Sequence, residues 1–170
     1  ISTDSLRPFE EITKIHSTKK KQQKYYNLSQ TCQITNLNII YEQYFGQRTN
    51  GCFVEIGAFD GEYTSNTSGL ADIGWVGYYI EPVPIFFQRC KARHSKNKNI
   101  TVSQYAIGAG PETVEVNVGG PLSTVSDAMK ENFESLEWAR GNFVQDKKIM
   151  VEQLLLEDYL NKHGVKSHFE

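Results

Sequence analysis

The chain of 170 residues has room for one domain with one proper core, and its 39% apolar and 22% charged content is that of an ordinary soluble globular protein. A formal net charge of -2 argues against a nucleic-acid binder, and no run approaches the roughly 18 apolar residues of a membrane span. Cys32, Cys52 and Cys90 lie far apart without a Cys-x-x-Cys pair, which predicts the reduced thiols of a cytoplasmic protein rather than a disulfide framework or a metal site.

Residues 1–30 are polar and charged, with Lys19, Lys20, Lys21 and Lys24 close together. They read as a solvated segment ahead of a domain spanning 31–170, with a phosphate-binding or docking arm as the competing reading. The chain opens on Ile1 rather than Met, which leaves a removed targeting segment open. Asn27, Asn66 and Asn99 each begin an Asn-x-Ser/Thr triplet, a pattern short enough to arise by chance in an Asn-rich chain. From Ile34 to Phe45 the apolar residues Ile34, Leu37, Tyr41, Tyr44 and Phe45 recur at helical spacing.

Short apolar runs ended by turn residues follow. Cys52–Ile56 predicts a buried strand, closed by Gly57 and Gly61, and residues 65–73 a short helix stopped by Gly74. Val76–Ile80 predicts a second strand ended by Glu81 and Pro82. Pro84 suits the first turn of a helix with Phe86, Phe87 and Cys90 on its inner face, and Ile100–Ile107 predicts a third strand. This alternation is the opening of a doubly wound α/β sheet. Right-handed crossovers give the order 3-2-1, with a ligand-binding switch point at the carboxyl end of the first strand. Further on, Thr113–Val118 and Lys148–Glu152 are expected to pair as strands around a loop at 119–126 and a partly helical stretch at 127–145. Leu154–His163 is expected to form a helix stopped by Gly164.

The turn Gly57-Ala58-Phe59-Asp60-Gly61 lets backbone approach a ligand closely. It is not the Gly-x-Gly-x-x-Gly of dinucleotide enzymes and lacks the Lys-Ser/Thr of a phosphate loop. Asp60 would repel a pyrophosphate, whereas Asp60 and Glu55 suit a ligand carrying a positive amine. Glu81, 20 residues beyond Gly61, is placed to accept hydrogen bonds from both hydroxyls of a ribose.

Phe53-Val-Glu-Ile-Gly-Ala-Phe-Asp-Gly61 followed by Tyr79-Ile-Glu-Pro82 resembles the two leading motifs of the FkbM family of methyltransferases. Ser29-Gln30, Ala106-Ile-Gly108, the Ser123–Ser126 loop and the segment from Val151 to Tyr159 are similar to other parts of that family, so the resemblance spans residues 29–170. It implies a Rossmann-like class I methyltransferase sheet and S-adenosylmethionine as cofactor. Carried over by residue, Glu55, Gly57, Asp60 and Gly61 would line the methionine end, with Ala58 and Phe59 of the same turn also binding the cofactor. Glu81 would hold the ribose, Pro82 would shape the turn beside the adenine, and Ala106 and Ile107 would face it. Ser65 and Asn66, opening the next helix, would neighbour the cofactor carboxylate. No metal is implied. The acceptor would be a hydroxyl on a small molecule, sugar or glycan.

The family continues after a helix like Leu154–His163 into a fourth strand of the form Ile-Asp-x-Glu-Gly-x-Glu. This sequence stops at Ser167-His-Phe-Glu170, so strand four and later elements are expected to be missing from it. A sheet left open beside its first strand would favour association, as in a homo-oligomer covering that edge. No catalytic residue stands out. His94, His163, His168 and Asp127 are candidates for a general base, and Ser123, Thr124 and Ser126 are equally suited to turn chemistry. Two other functions compete: a methyltransferase-fold protein that binds without turnover, and a nicotinamide-dependent oxidoreductase, against which Asp60 argues.

Overall fold

Apolar runs punctuated by glycine build the central sheet. A computed structural model describes residues 26, 28, 29, 31–143 and 147–165. Strands β1 (Cys52–Ile56) and β2 (Val76–Ile80) occupy the runs expected of them. They pair in parallel, Cys52 opposite Val76 through Ile56 opposite Ile80, and β3 (Ile100–Ser103) joins the far side of β2. The order is therefore β3-β2-β1.

Three helices accompany this sheet: α1 (Leu37–Phe45), α2 (Ser68–Asp72) and α3 (Pro84–Arg93). Pro84 fits the first turn of α3, where its missing N–H has no partner to lose. Of the residues expected on the inner face of α3, Phe86 and Cys90 are buried and Phe87 is half-buried. Phe53, Tyr79, Trp75, Leu70, Ala71 and Cys90 form the core, with the Phe53 and Tyr79 rings edge to face at 5.3 Å. Tyr26, ahead of the expected boundary at residue 31, is fully buried in the same core and donates from its hydroxyl to the Gly46 carbonyl. The lysine-rich stretch at 19–24 lies outside the described residues.

The run Ile100–Ile107 is not one strand. Glu81 N–H donates to the Ser103 carbonyl at 3.0 Å. Beyond that point β2 has ended, and Pro82 has no N–H to extend the ladder. The chain turns at Gln104 and Tyr105, and β4 (Ala106–Ile107) pairs instead with Gln153 and Leu154 of β6 (Lys148–Leu154). β5 (Glu112–Asn117) pairs antiparallel with β6, as expected, and the second sheet has the order β4-β6-β5. Leu154 is thereby held in a strand, so the last helix, α5 (Leu156–Lys162), starts later than its apolar pattern suggests and stops before Gly164. Between β5 and β6 lies α4 (Asp127–Ser135), capped by Ser126 Oγ accepting from Met129 N–H.

Val83, Phe86, Ala106, Val116 and Val151 form a second apolar cluster. It fastens the second sheet to the turn after β2 and the first turn of α3, so that sheet stands beside the carboxyl end of β2. Among the described residues β1 pairs only with β2. Along its other edge runs an apolar groove that includes Cys52, Val54, Ile56, Leu156 and Leu160, with Ile56 51% exposed. No helix among the described residues is long and apolar enough to cross a membrane.

Candidate functional site

The turn after β1 is stapled to the end of β2. Gly57 N–H and Ala58 N–H both donate to the Ile80 carbonyl, at 2.9 and 3.2 Å, and Gly61 N–H closes the turn on the Ala58 carbonyl at 2.8 Å. Gly57 has φ 74° and Gly61 φ 75°, both in the left-handed region that favours glycine. The two differ in what surrounds them. A Cβ on Gly57 would meet nothing within 4 Å, so its backbone faces open space. A Cβ on Gly61 would stand 2.8 Å from Cys90 Sγ and 2.9 Å from His94 Nε2, so Gly61 makes room for the end of α3 and the His94 ring that follows it. Phe59 also has a positive φ, 50°, unusual for a bulky side chain.

Glu81 is 4% exposed and joins the two turns. Its Oε2 accepts from Phe59 N–H and its Oε1 from Val83 N–H, both at 2.8 Å. Burial pushes its carboxyl up to about 7, against the two backbone donors, which favour the charged form. An ionised carboxylate has about four acceptor positions; two hold backbone here, and the chemistry that remains suits a partner with hydroxyl donors. Pro82, half-buried, lies between Glu81 and Val83.

The other predicted residues stand in different surroundings. Asp60 Oδ1 accepts from Glu62 N–H at 3.0 Å and Tyr63 N–H at 2.7 Å, so Asp60 shapes the exit of the glycine turn. Glu55 Oε2 accepts from Ser65 Oγ at 2.8 Å and from Thr67 Oγ1, which also lies within hydrogen-bond distance of Tyr79 Oη. Burial raises the Glu55 carboxyl, opposed by the Thr67 and Ser65 hydrogen bonds. Ser65 Oγ in turn accepts from Thr67 and Ser68 N–H. These side-chain bonds hold the chain in turns, and α2 begins only at Ser68 rather than at Ser65. Asn66 Oδ1 accepts from Cys32 Sγ at 3.4 Å and its carbonyl from Tyr41 Oη at 2.8 Å. Glu55, Ser65 and Asn66 thus stand in an inner network that supports the turn from the side of α1 and α2.

Ala106 lies in the cluster with Val83 and Phe86, against which Phe59 packs, so the structure brings it to the Glu81 end of the site. Ile107 is the next residue of β4 and belongs to the opposite face. It lines a hollow of the second sheet with Gly108, Glu112 and Gln153, away from Ala106.

The candidate bases are packed against rings, paired at the surface, or outside the described residues, and both ring nitrogens of His94 and Nε2 of His163 are buried without a hydrogen-bond partner. His94 is 4% exposed beneath Gly61 and stacked on Tyr79 at 4.5 Å, and burial, aided by Arg93, lowers its pKa. His163 ends α5 against Tyr159 and Tyr78. Asp127 accepts from Asn117 and Lys148 at the surface. His168 is outside the described residues. Ser123 Oγ accepts from Gly119 N–H and donates to the Gly120 carbonyl, and Thr124 and Ser126 make the local bonds that start α4. Among the described residues no three His, Cys, Asp or Glu side chains are grouped to hold a metal.

Sequence reading missed Thr67, the second hydroxyl on Glu55, and the part played by Val83 N–H. The small polar run Ser65-Asn66-Thr67 after a buried carboxylate was the available signal. As a check on this inner network, Glu55→Ala is expected to cost about 1–3 kcal/mol in denaturant unfolding, because Ser65 and Thr67 lose their acceptor. A stability change below ~0.5 kcal/mol would show the network to be idle. Compared with protein-family models, with curated proteins and with solved structures, the chain finds no match.

Proposed function

We propose that this chain binds S-adenosylmethionine at the carboxyl end of β1 and β2 and belongs to a methyltransferase acting on a hydroxyl of a small molecule, sugar or glycan. The observation that carries the reading is the pairing of an open glycine backbone at Gly57 with the buried Glu81 carboxylate, both fixed to the same end of a parallel β3-β2-β1 sheet. Open α/β sheets bind their ligands at such carboxyl ends. Gly57 allows close approach of a sulfonium nucleoside, Glu81 accepts from its ribose, and Ala106 with Val83 provides apolar contact for the base. Pro82 fixes the chain between them. When bound, S-adenosylmethionine supplies a methyl group activated by its sulfonium. The residues of this chain bind and orient it, and positioning is the larger part of such catalysis. A second copy covering the open edge of β1 would complete the apolar surroundings of that strand.

A binding protein without turnover is the second reading. It is favoured by the candidate bases, since His94 is buried beneath Gly61 and Asp127 is bound to Asn117 and Lys148 at the surface.

Calorimetric titration with S-adenosylhomocysteine tests the proposal. Saturable binding is expected, and Gly57→Val should abolish it; its side chain would meet nothing within 4 Å but would be strained at φ 74°, so the folded fraction of the variant is measured alongside. Transfer to a hydroxyl acceptor then separates enzyme from binder. Absence of binding, or binding unaffected by Gly57→Val, would overturn the site.

A further inference from the structure

Phe59 occupies an unusual position in the glycine turn. Its backbone is left-handed at φ 50°, a conformation that bulky side chains avoid. Its N–H is held by Glu81 Oε2 at 2.8 Å. Its ring packs 4.3 Å from that of Phe86 and 6.1 Å from that of Tyr63, against the apolar cluster containing Val83 and Ala106. The same residue thus covers the apolar surface beside Glu81 and takes one of the two carboxylate oxygens.

We propose that Phe59 is a latch on the nucleoside end of the site: the ring held against Phe86 and the N–H held by Glu81 keep that end closed, and a nucleoside enters only when both contacts release. This rests on the reading of the site as one for a sulfonium nucleoside, and it adds that the closed state regulates access. Two observations favour a latch over a fixed wall. The ring is only half-buried, so it has solvent to move into. Its backbone at φ 50° lies in the left-handed region that bulky side chains avoid, so leaving that conformation carries little backbone penalty. In a latched site the apparent affinity equals the intrinsic affinity scaled by the fraction of open molecules. Weakening the latch therefore tightens binding and speeds association.

The test compares the whole chain with Phe59→Asn and Phe59→Leu, using S-adenosylhomocysteine as the probe in calorimetry and stopped-flow mixing. Asparagine tolerates the left-handed backbone while removing the ring, and leucine keeps apolar packing if the asparagine variant folds poorly. The latch predicts that at least one folded variant binds about tenfold more tightly than the unaltered chain, with most of the gain in the association rate. Equal or weaker binding by the folded variants, with the unaltered chain binding normally, overturns the latch and leaves the site standing. No binding by the unaltered chain or by either variant overturns the nucleoside site and the latch together.

Discussion

Gly61→Ala is expected to destabilise the fold by about 2–5 kcal/mol, far more than its size suggests. The left-handed backbone at φ 75° costs a Cβ-bearing residue about 1–2 kcal/mol. Overpacking adds about 1–3 kcal/mol, because the new methyl would stand 2.8 Å from Cys90 Sγ and 2.9 Å from His94 Nε2. Neither neighbour has an easy retreat. Cys90 is fully buried in the core, and His94 is stacked on Tyr79. Gly57→Ala carries the same backbone cost without the clash, since nothing lies within 4 Å of its Cβ position. Denaturant unfolding of the two variants side by side is the check. Equal losses would mean that α3 does not pack against the glycine turn as described.

Glu81→Gln separates the charge of this side chain from its shape. An amide presents one oxygen and one NH2, so either Phe59 N–H or Val83 N–H faces a donor, at about 1–3 kcal/mol for the donor left unpaired. The pH dependence is more diagnostic. Burial raises the Glu81 carboxyl to about 7 from an ordinary 4.5, so between these values the folded protein holds a proton that the unfolded chain releases. Stability from this group is complete below about pH 4.5 and is lost as pH rises through about 7, by up to about 3 kcal/mol. His94, lowered by burial, has the opposite sign and loses stability on acidification below its ordinary 6.5. That contribution, like that of Glu55, is common to both proteins and cancels in the difference. The stability advantage of the unaltered chain over Glu81→Gln should therefore shrink from pH 4.5 to 8. A flat or rising difference would contradict the burial of Glu81.

Much of the scaffold was legible because its signals are local. The strands Cys52–Ile56 and Val76–Ile80 are apolar runs cut off by Gly57 and by Glu81-Pro82, and Pro84 announces α3. Non-local choices were not legible. Nothing in Ile100–Ile107 tells that Ala106 and Ile107 leave β3 to pair with Gln153 and Leu154, because the reason lies in where β2 ends. Likewise Leu154 fits a helical stripe and is claimed by a strand. At the candidate site, residue type singled out Gly57 and Glu81 but not their hydrogen-bond partners. Nor does residue type tell that Gly61 seats Cys90 and His94, or that Asp60 caps Glu62 and Tyr63. The alternation of β4 separates Ile107 from Ala106, a division that adjacency in sequence conceals.

Backbone amide NMR during titration with S-adenosylmethionine tests whether a nucleoside sulfonium is held where the glycine turn meets Glu81. The amides of Gly57, Phe59 and Val83 should move together and saturate in one binding isotherm, since the latter two donate to the carboxylate proposed to accept the ribose. Saturating shifts confined to the outer edge of β1, or none anywhere in a folded chain, would contradict it.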